Sequence, residues 1–272
     1  MASLSNFKDL SFLVYGLGAT GQSVVNFFKK NKFTNYQVWD DKNKKLFKNK
    51  RVFNLDSTLK KVNYIILSPG ISLIKPKNKL IKYKNKIIID IDLLFLLNKD
   101  FKSVVVTGTN GKSTTCKIIN HLLKTNKFTS LLGGNIGTPV LNLNLKKKTF
   151  LVIEASSYQL AHSKFICPDY AFLLNITNDH IDWHGSMNNY VNSKFKIFKL
   201  QKKKQCAFIN NKLKKNFKKR NFLSKLIVPK LKDYKKLKSK IKNIYIKSSI
   251  NDENMSNVFR FSKLLNISEN SF

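Results

Sequence analysis

The most explicit chemistry in this sequence lies in eight consecutive residues, Thr107–Thr114, which read TGTNGKST. Two glycines let backbone N–H groups converge on phosphate oxygens, Lys112 supplies a cation for the β- and γ-phosphates, and the Ser113 hydroxyl can ligate Mg²⁺. Val106 stands where the full GxxxxGK[ST] pattern has glycine, so this is a shorter form. The run predicts an ATP-type phosphate site. Its expected nucleotide contacts are Gly108, Thr109, Asn110, Gly111, Lys112, Ser113 and Thr114.

A second glycine-rich run, Gly16-Leu17-Gly18-Ala19-Thr20-Gly21, has the G-x-G-x-x-G spacing of a nucleotide-binding turn between a strand and a helix. Asp40 follows at the end of the next strand-like segment, where a carboxylate can reach a ribose or a base. NAD or FAD is the usual ligand of such a turn, but another nucleotide, or a tight turn without ligand, fits the same residues. Together with the phosphate run, it suggests an ATP-driven enzyme that acts on a nucleotide-carried substrate.

Three further sites follow apolar strands, where parallel sheets bind ligands. The run Gly133–Gly137 (GGNIG) exposes backbone and one amide, Asn135, although a plain turn would look the same. Glu154 ends an apolar run and is placed to hold Mg²⁺, with helix capping as the alternative. His180, and Lys194 fourteen residues later, are candidates for a second metal; either residue alone is more often structural.

These residues must be positioned by alternating strands and helices, which predict an α/β fold with mostly parallel sheets. A domain boundary near 97–102 would give domains 1–98 and 99–272. The lysine-dense segment 199–247 is interpreted as peripheral strands and connections, with short apolar islands at Cys206–Ile209, Leu226–Val228 and Ile244–Tyr245. The expected strands are Phe12–Tyr15, Gln37–Trp39, Tyr64–Leu67, Lys86–Ile89, Ser103–Val106, Phe150–Ile153 and Tyr170–Leu174, and the expected helices are Gln22–Lys30, Lys112–Lys124, one that Ser186 caps and that runs through Phe198, and Glu253–Leu265.

Composition limits the classes of protein that need to be considered. The net charge of +36 invites a nucleic-acid partner, but 51 basic residues include only three arginines, so 48 are lysines without the Arg forks that read phosphates and bases. No specific nucleic-acid binding is therefore expected. The spacing of the three cysteines fits no metal-binding or redox motif. The most hydrophobic segment, Ile87–Leu97, is too short and too charged to span a bilayer. We expect a cytoplasmic protein without a membrane partner.

Taken together, the motifs resemble those of the Mur ligases of peptidoglycan synthesis, and most closely the branch that adds D-glutamate. They occur in the family's order and cover essentially the whole chain. The matching runs are Gly16–Gly21, Ser68-Pro69-Gly70-Ile71, Thr107–Thr114, Gly133–Gly137, Ser156-Ser157-Tyr158-Gln159-Leu160 and Asp179-His180.

The resemblance implies a fold and a set of residue roles. An N-terminal Rossmann-like domain would hold the UDP of the substrate rather than NAD, and a central P-loop-type α/β domain would act as the ATPase. Lys112 would hold the phosphates, Ser113 and Glu154 one Mg²⁺, and His180 with a carbamylated Lys194 a second. The implied catalytic residues are Lys112, Glu154, His180 and Lys194. The implied substrate contacts are Thr20, Asp40, Ser68, Asn135, Ser156 and Gln159.

The implied reaction joins D-glutamate to UDP-N-acetylmuramoyl-L-alanine through an acyl phosphate, at the expense of ATP and in a monomer. Two departures stand out. Family members carry a third, C-terminal domain that supplies D-glutamate contacts, whereas this chain stops at Phe272, and residues 253–257 (ENMSN) stand where the family reads His-Asn-x-x-Asn. The chain is therefore expected to be incomplete and to turn over poorly alone. Another Mur or folylpolyglutamate-type ligase, a non-catalytic nucleotide-sugar-binding fragment and a basic nucleic-acid binder are the alternatives.

Overall fold

Two parallel sheets organise the chain. A computed structural model describes them through residues 7–43, 45–73, 78–97 and 100–272. The first sheet has the order β2-β1-β3-β4, and the second β10-β9-β8-β5-β7-β6. The strands of the first sheet are β1 Phe12–Tyr15, β2 Tyr36–Trp39, β3 Tyr64–Leu67 and β4 Ile87–Ile88. Those of the second are β5 Lys102–Thr107, β6 Ser130–Gly134, β7 Phe150–Glu154, β8 Tyr170–Leu173, β9 Cys206–Ile209 and β10 Lys225–Ile227.

Helices connect these strands and cover both faces of each sheet. Along β1, Phe12 and Val14 enter one apolar cluster while Leu13 and Tyr15 enter another, as alternating side chains of a doubly covered strand must. The predicted α/β class with two parallel-sheet domains is confirmed. The helices are α1 Ala19–Lys30, α2 Leu55–Lys61, α3 Asp90–Leu97, α4 Lys112–Thr125, α5 Ser157–His162, α6 Ile181–His184, α7 Met187–Phe195, α8 Lys214–Lys218, α9 Leu231–Lys238, α10 Ile244–Lys247 and α11 Asp252–Leu264.

The lysine-dense segment 199–247 differs from the expectation. It contains strands β9 and β10, but also three helices, and Ile244–Tyr245 begins helix α10 instead of forming a strand. In α9, Tyr234 and Leu237 are buried three residues apart, which is helical spacing, and lysines fill the solvent side. The interpretation of this segment as strands and connections alone was wrong because dense lysines obscured the short apolar period.

Asp92, in the first turn of α3, links the first domain to the second through hydrogen bonds. Its fully buried carboxylate accepts hydrogen bonds from the Ser163 hydroxyl (2.8 Å) and from the backbone N–H groups of Lys164 (3.0 Å) and Phe165 (2.8 Å), just beyond α5. The predicted boundary near 97–102 follows α3, and residues 98–99 lie outside the described residues. One apolar cluster includes residues of both domains, so the two sheets share a core.

Candidate active site

The phosphate loop joins β5 to α4 and has the geometry that its glycines predict. Gly111, at the N-terminal cap of α4, has φ +83°, and a Cβ there would lie 2.3 Å from Asn254 Nδ2. The Lys112 ammonium folds back and donates to the carbonyl oxygens of Gly108 (3.0 Å) and Thr109 (2.8 Å). The loop thus places a helix N-terminus and a lysine cation at the carboxyl end of the second sheet, which is an anion-binding arrangement.

Glu154 is the point where three predicted site residues meet. It ends β7, between β5 and β6, and is only 1% exposed. One carboxylate oxygen accepts from the Ser113 hydroxyl (2.7 Å) and the other from the Asn135 side-chain amide (2.9 Å). A hydroxyl and a carboxylate on adjacent elements form part of the oxygen ligand set that Mg²⁺ takes, with phosphates and water completing it. These residues therefore fit one Mg²⁺ next to a nucleotide.

Lys194 approaches the same loop from α7. Its side chain is 1% exposed, and its ammonium donates to the Gly108 carbonyl (2.7 Å) and lies 4.7 Å from the centre of the Tyr190 ring. Burial, together with the nearby Lys112 cation, lowers the pKa of Lys194 to about 7. Two lysines thus share one carbonyl oxygen, and the buried Lys194 loses its proton more readily than an ordinary lysine does.

His180 also lies near Tyr190. It precedes α6 with φ +52°, and its Nδ1 lies 3.2 Å from an Asp179 carboxylate oxygen. Its ring packs 4.9 Å from the Tyr158 ring and 6.3 Å from that of Tyr190, measured between centres. Within the described ranges, no group of three or more His, Cys, Asp or Glu side chains is arranged to hold a metal. His180 and Lys194 thus border one aromatic ring without forming a preassembled metal cage.

The first glycine-rich loop is held by polar side chains that bond to its own backbone. Ser68 donates to the Gly16 carbonyl (2.8 Å). The Asp40 carboxylate accepts from the backbone N–H groups of Leu17 (2.6 Å), Lys42 (2.8 Å) and Asn43 (2.7 Å). Burial acts to raise the pKa of Asp40, but these bonds outweigh it and leave the pKa below its ordinary value. Thr20, in the first turn of α1, is partly exposed beside them.

Ser156 and Gln159 form a capping box at the start of α5. The Ser156 hydroxyl accepts from the Gln159 backbone N–H (3.2 Å), while the Gln159 side-chain oxygen accepts from the Ser156 backbone N–H (3.0 Å). Both side chains are nearly fully buried. Their polar atoms therefore already have a structural task, directly after Glu154.

Three residues that the sequence did not mark as site residues support the phosphate loop. The Asn175 side chain exchanges two hydrogen bonds with the Asn110 backbone, at 2.8 and 3.0 Å. The Tyr190 hydroxyl lies 2.9 Å from the Thr109 hydroxyl, and Asn254 abuts Gly111. Asn175 lies in the polar run after β8, which was a usable signal, whereas Tyr190 reads as an ordinary buried helix residue.

Comparison with known proteins agrees with this architecture. Residues 11–90 match the "Mur ligase MurD-like, N-terminal domain" and residues 106–268 the "Mur ligase middle domain". The chain is 39% identical over 215 residues to UDP-N-acetylmuramoylalanine--D-glutamate ligase of Rickettsia prowazekii, covering 76% of this chain and 48% of that protein. It is 37% identical to the enzyme of the same name from Wolbachia pipientis wMel, covering 71% of this chain and 40% of that protein.

Among solved structures, a UDP-N-acetylmuramate:L-alanyl-gamma-D-glutamyl-meso-diaminopimelate ligase from Neisseria meningitides aligns at a TM-score of 0.49 and 15% identity, over 80% of this chain and 76% of that chain. The chain spans about half the length of the relatives named above. Across the described residues, no helix combines the length and the apolar character needed to cross a membrane. With the middle-domain match over more than half of its residues, the chain belongs to the Mur ligase family.

Proposed function

We propose that this chain supplies the nucleotide-substrate domain and the ATP-binding domain of a ligase that joins D-glutamate to UDP-N-acetylmuramoyl-L-alanine. One observation carries the proposal: the Glu154 carboxylate bonds both Ser113 of the phosphate loop and Asn135 of the GGNIG loop. A nucleotide phosphate bound at the phosphate loop and a substrate bound at the GGNIG loop would meet at this carboxylate. The D-glutamate ligases named above are 39% and 37% identical to this chain over 215 and 207 residues.

The proposed ligation proceeds in two steps, acyl-phosphate formation and then amide formation. An oxygen of the substrate's L-alanine carboxylate attacks the γ-phosphorus of ATP, the bond to the β–γ bridging oxygen breaks, and ADP leaves. The D-glutamate nitrogen then attacks the acyl carbon, the bond to phosphate breaks, and the nitrogen loses a proton. Activation is needed because a carboxylate is a poor acyl donor in water.

The residues of this chain supply positioning and charge for the first step. Lys112, released from the carbonyls of Gly108 and Thr109, would turn to the transferred phosphate and offset its charge. Ser113 and Glu154 would hold Mg²⁺, which supplies further charge neutralisation when bound. Asn135 would orient the substrate, and Thr20, Asp40 and Ser68 would face its UDP at the first loop, with Ser156 and Gln159 keeping the start of α5 in place.

Lys194 is proposed to act as a carbamate. The neutral amine of a lysine attacks CO₂ and gives a carbamate and a proton, and a pKa of about 7 keeps that amine available near neutral pH. Its carbamate oxygens, with His180, would hold a second Mg²⁺. We expect bicarbonate to raise the Mg²⁺-dependent affinity of the chain for ATP, and a Lys194→Met variant to be insensitive to bicarbonate. An unchanged bicarbonate response in that variant would assign the effect elsewhere.

Nucleotide binding tests directly whether Glu154 and Ser113 hold Mg²⁺ beside the nucleotide. Titration calorimetry with ATP should show at least tenfold tighter binding in Mg²⁺ than in EDTA for the native chain, because the ion links phosphate to Ser113 and Glu154. The Glu154→Gln variant should lose this gain. Glu269→Gln removes the same charge from an exposed residue paired with Lys263 and should keep it. Equal Mg²⁺ gains in all three proteins would sink the proposed site.

Product analysis tests the substrates. The chain is incubated with ATP, Mg²⁺, UDP-N-acetylmuramoyl-L-alanine and a panel of amino acids, and ADP and products are quantified by mass spectrometry. We expect slow turnover by the chain alone, with D-glutamate as the acceptor in any product that forms. ADP release that needs the UDP substrate but yields no product would indicate the first step alone. Preference for another acceptor would place the chain in a different branch of the family.

We propose a monomeric cytoplasmic catalyst that binds neither membrane nor specific nucleic acid.

A further inference from the structure

A cavity of about 430 Å³ lies between the two domains, and no residue of the phosphate loop lines it. None of its lining residues is among the nucleotide, metal or substrate contacts proposed above. The N-terminal domain contributes Leu73 and, from the one-turn helices of Lys79–Lys86, Ile81 and Lys84. The remaining walls come from α5, α6 and α7 and the turn after them.

One wall carries a largely buried cation without a carboxylate partner. The Lys196 ammonium donates to the Ala161 carbonyl, and among residues 7–43, 45–73, 78–97 and 100–272 no carboxylate forms an ion pair with it. Asp92 attracts it from further away, but the Asp92 oxygens are occupied by α5-end groups such as the Ser163 hydroxyl. Lys84 adds a second positive charge from the other domain. A charge buried without a counter-ion is costly, and a bound anion would relieve that cost.

The rest of the lining is mainly apolar. Leu73, Ile81 and Ala161 present aliphatic groups, and Trp183 presents an indole. The Trp183 Nε1–H is buried and has no hydrogen-bond partner among the described residues, so it is a donor without an acceptor. His162, on the same wall, has its pKa lowered to about 4, first by burial and then by Lys196 and Lys84, and is neutral. The cavity thus offers cations at one place and an apolar wall around them.

We propose that this cavity is a second ligand site, for a small carboxylic acid with an aromatic or branched apolar body. A monoanion balances the single buried Lys196 charge, and its apolar body fills the space between Ile81 and Trp183. The volume lies in the usual range for small-molecule sites. Because the walls come from both domains, the ligand would also hold the domains together. The inference does not depend on the ligase reaction.

Tryptophan fluorescence gives a direct readout. The chain has two tryptophans, so a Trp39→Phe background leaves Trp183 as the reporter. Titration with 3-phenylpropanoate should give a saturable change, and 3-phenylpropan-1-ol, which has a similar shape but no charge, should bind at least tenfold more weakly. Saturating ADP with Mg²⁺ should change the affinity less than twofold because the sites are separate. Equal binding of acid and alcohol, or no saturable change, would overturn the proposal.

Variants locate the site. Lys196→Met should weaken 3-phenylpropanoate binding about tenfold, and Lys84→Ala about threefold because Lys84 is exposed. Lys82→Ala is the matched control: it is exposed on the same segment but does not line the cavity, and should bind normally. If Lys196→Met does not fold, Ile81→Glu, which puts a negative charge on a half-exposed lining residue, should abolish binding. Identical losses at positions 82 and 84, or full binding by Ile81→Glu, would refute the site.

Discussion

The glycine-rich loop after β1 and the phosphate loop after β5 both connect a buried strand to the N-terminus of a helix, yet they use their side chains differently. In the first loop, Asp40 and Ser68 bond to loop backbone and close the turn. In the second, Lys112, Lys194 and the Ser113–Glu154 pair converge on the face that a phosphate would occupy. The first loop is a turn whose backbone is fixed by side-chain hydrogen bonds, whereas the second presents charged side chains to a ligand. The difference predicts that substitutions in the first loop act on stability and those in the second on binding.

Gly21→Ala should have the largest effect. A Cβ at Gly21 would lie 1.9 Å from the Gly16 carbonyl oxygen, and a backbone atom cannot move aside cheaply. We expect a loss of about 4 kcal/mol in the free energy of unfolding, measured by urea denaturation. The control is Gly18→Ala in the same loop, where no atom lies within 4 Å and φ is −66°, so stability should change little. Similar losses in both variants would mean that the loop is not closed in this way.

Lys112→Met should reduce ATP affinity about 100-fold, equivalent to about 2.7 kcal/mol, because the phosphates lose their cation. The unfolding free energy should change by less than about 0.5 kcal/mol, since the ammonium is partly exposed and bonds only two loop carbonyls. Lys117→Met, an exposed position on the same helix, should leave affinity unchanged. A stability loss larger than the binding loss would erase the contrast between the loops.

Asp40→Asn should cost about 2 kcal/mol of stability at pH 7, because an amide cannot replace a carboxylate that accepts three backbone N–H bonds. The pKa of Asp40 is lowered in the folded chain, so its stabilising contribution is full above the unfolded-state pKa and disappears as pH falls through the folded value. Urea melts at pH 7 and pH 3 should therefore show the native–variant difference shrinking. Asp56→Asn, at an exposed residue, is the control, and a pH-independent difference would contradict the assignment.

Gly111→Ala should have the smallest effect, about 1 kcal/mol. Alanine pays for the left-handed conformation at φ +83°, but the atom that its Cβ would meet is the end of the Asn254 side chain, which can rotate away. Thermal unfolding with and without ATP and Mg²⁺ would measure both stability and binding. A loss as large as that of Gly21→Ala would show that the second loop is as rigid as the first.

The sequence indicated which side chains gather at the second loop, and Ser113 and Glu154 do lie in hydrogen-bond contact there. The roles of Lys112, Ser113 and Glu154 in phosphate and Mg²⁺ binding stay predictions. The sequence predicted the first loop less completely: Asp40 was assigned to a ligand, and its bonds to Leu17 and Asn43 depend on how the chain turns after β2. Such local backbone bonding leaves no periodic signal.

Two other features show what sequence can and cannot supply. The Ser156–Gln159 pair has the spacing of a capping box, but the family resemblance assigned both residues to the substrate, and the structure shows the helix cap that they form. The position of Lys194 beside Gly108, 86 residues away in sequence, depends on the packing of α7 against the loop. The helices within 199–247 escaped prediction because each buries at most two residues: Tyr234 and Leu237 in α9, Phe217 in α8 and none in α10.

The Asp92 carboxylate has a consequence for modularity. The carboxylate oxygens belong to the first domain. Apart from the Ile89 N–H, the groups that donate hydrogen bonds to them belong to the second domain. If the two halves were expressed as separate polypeptides, one would expose Asp92 with its apolar surroundings, and the other would leave the N–H groups of Lys164 and Phe165 without an acceptor. The halves should therefore fold poorly apart and recover when mixed.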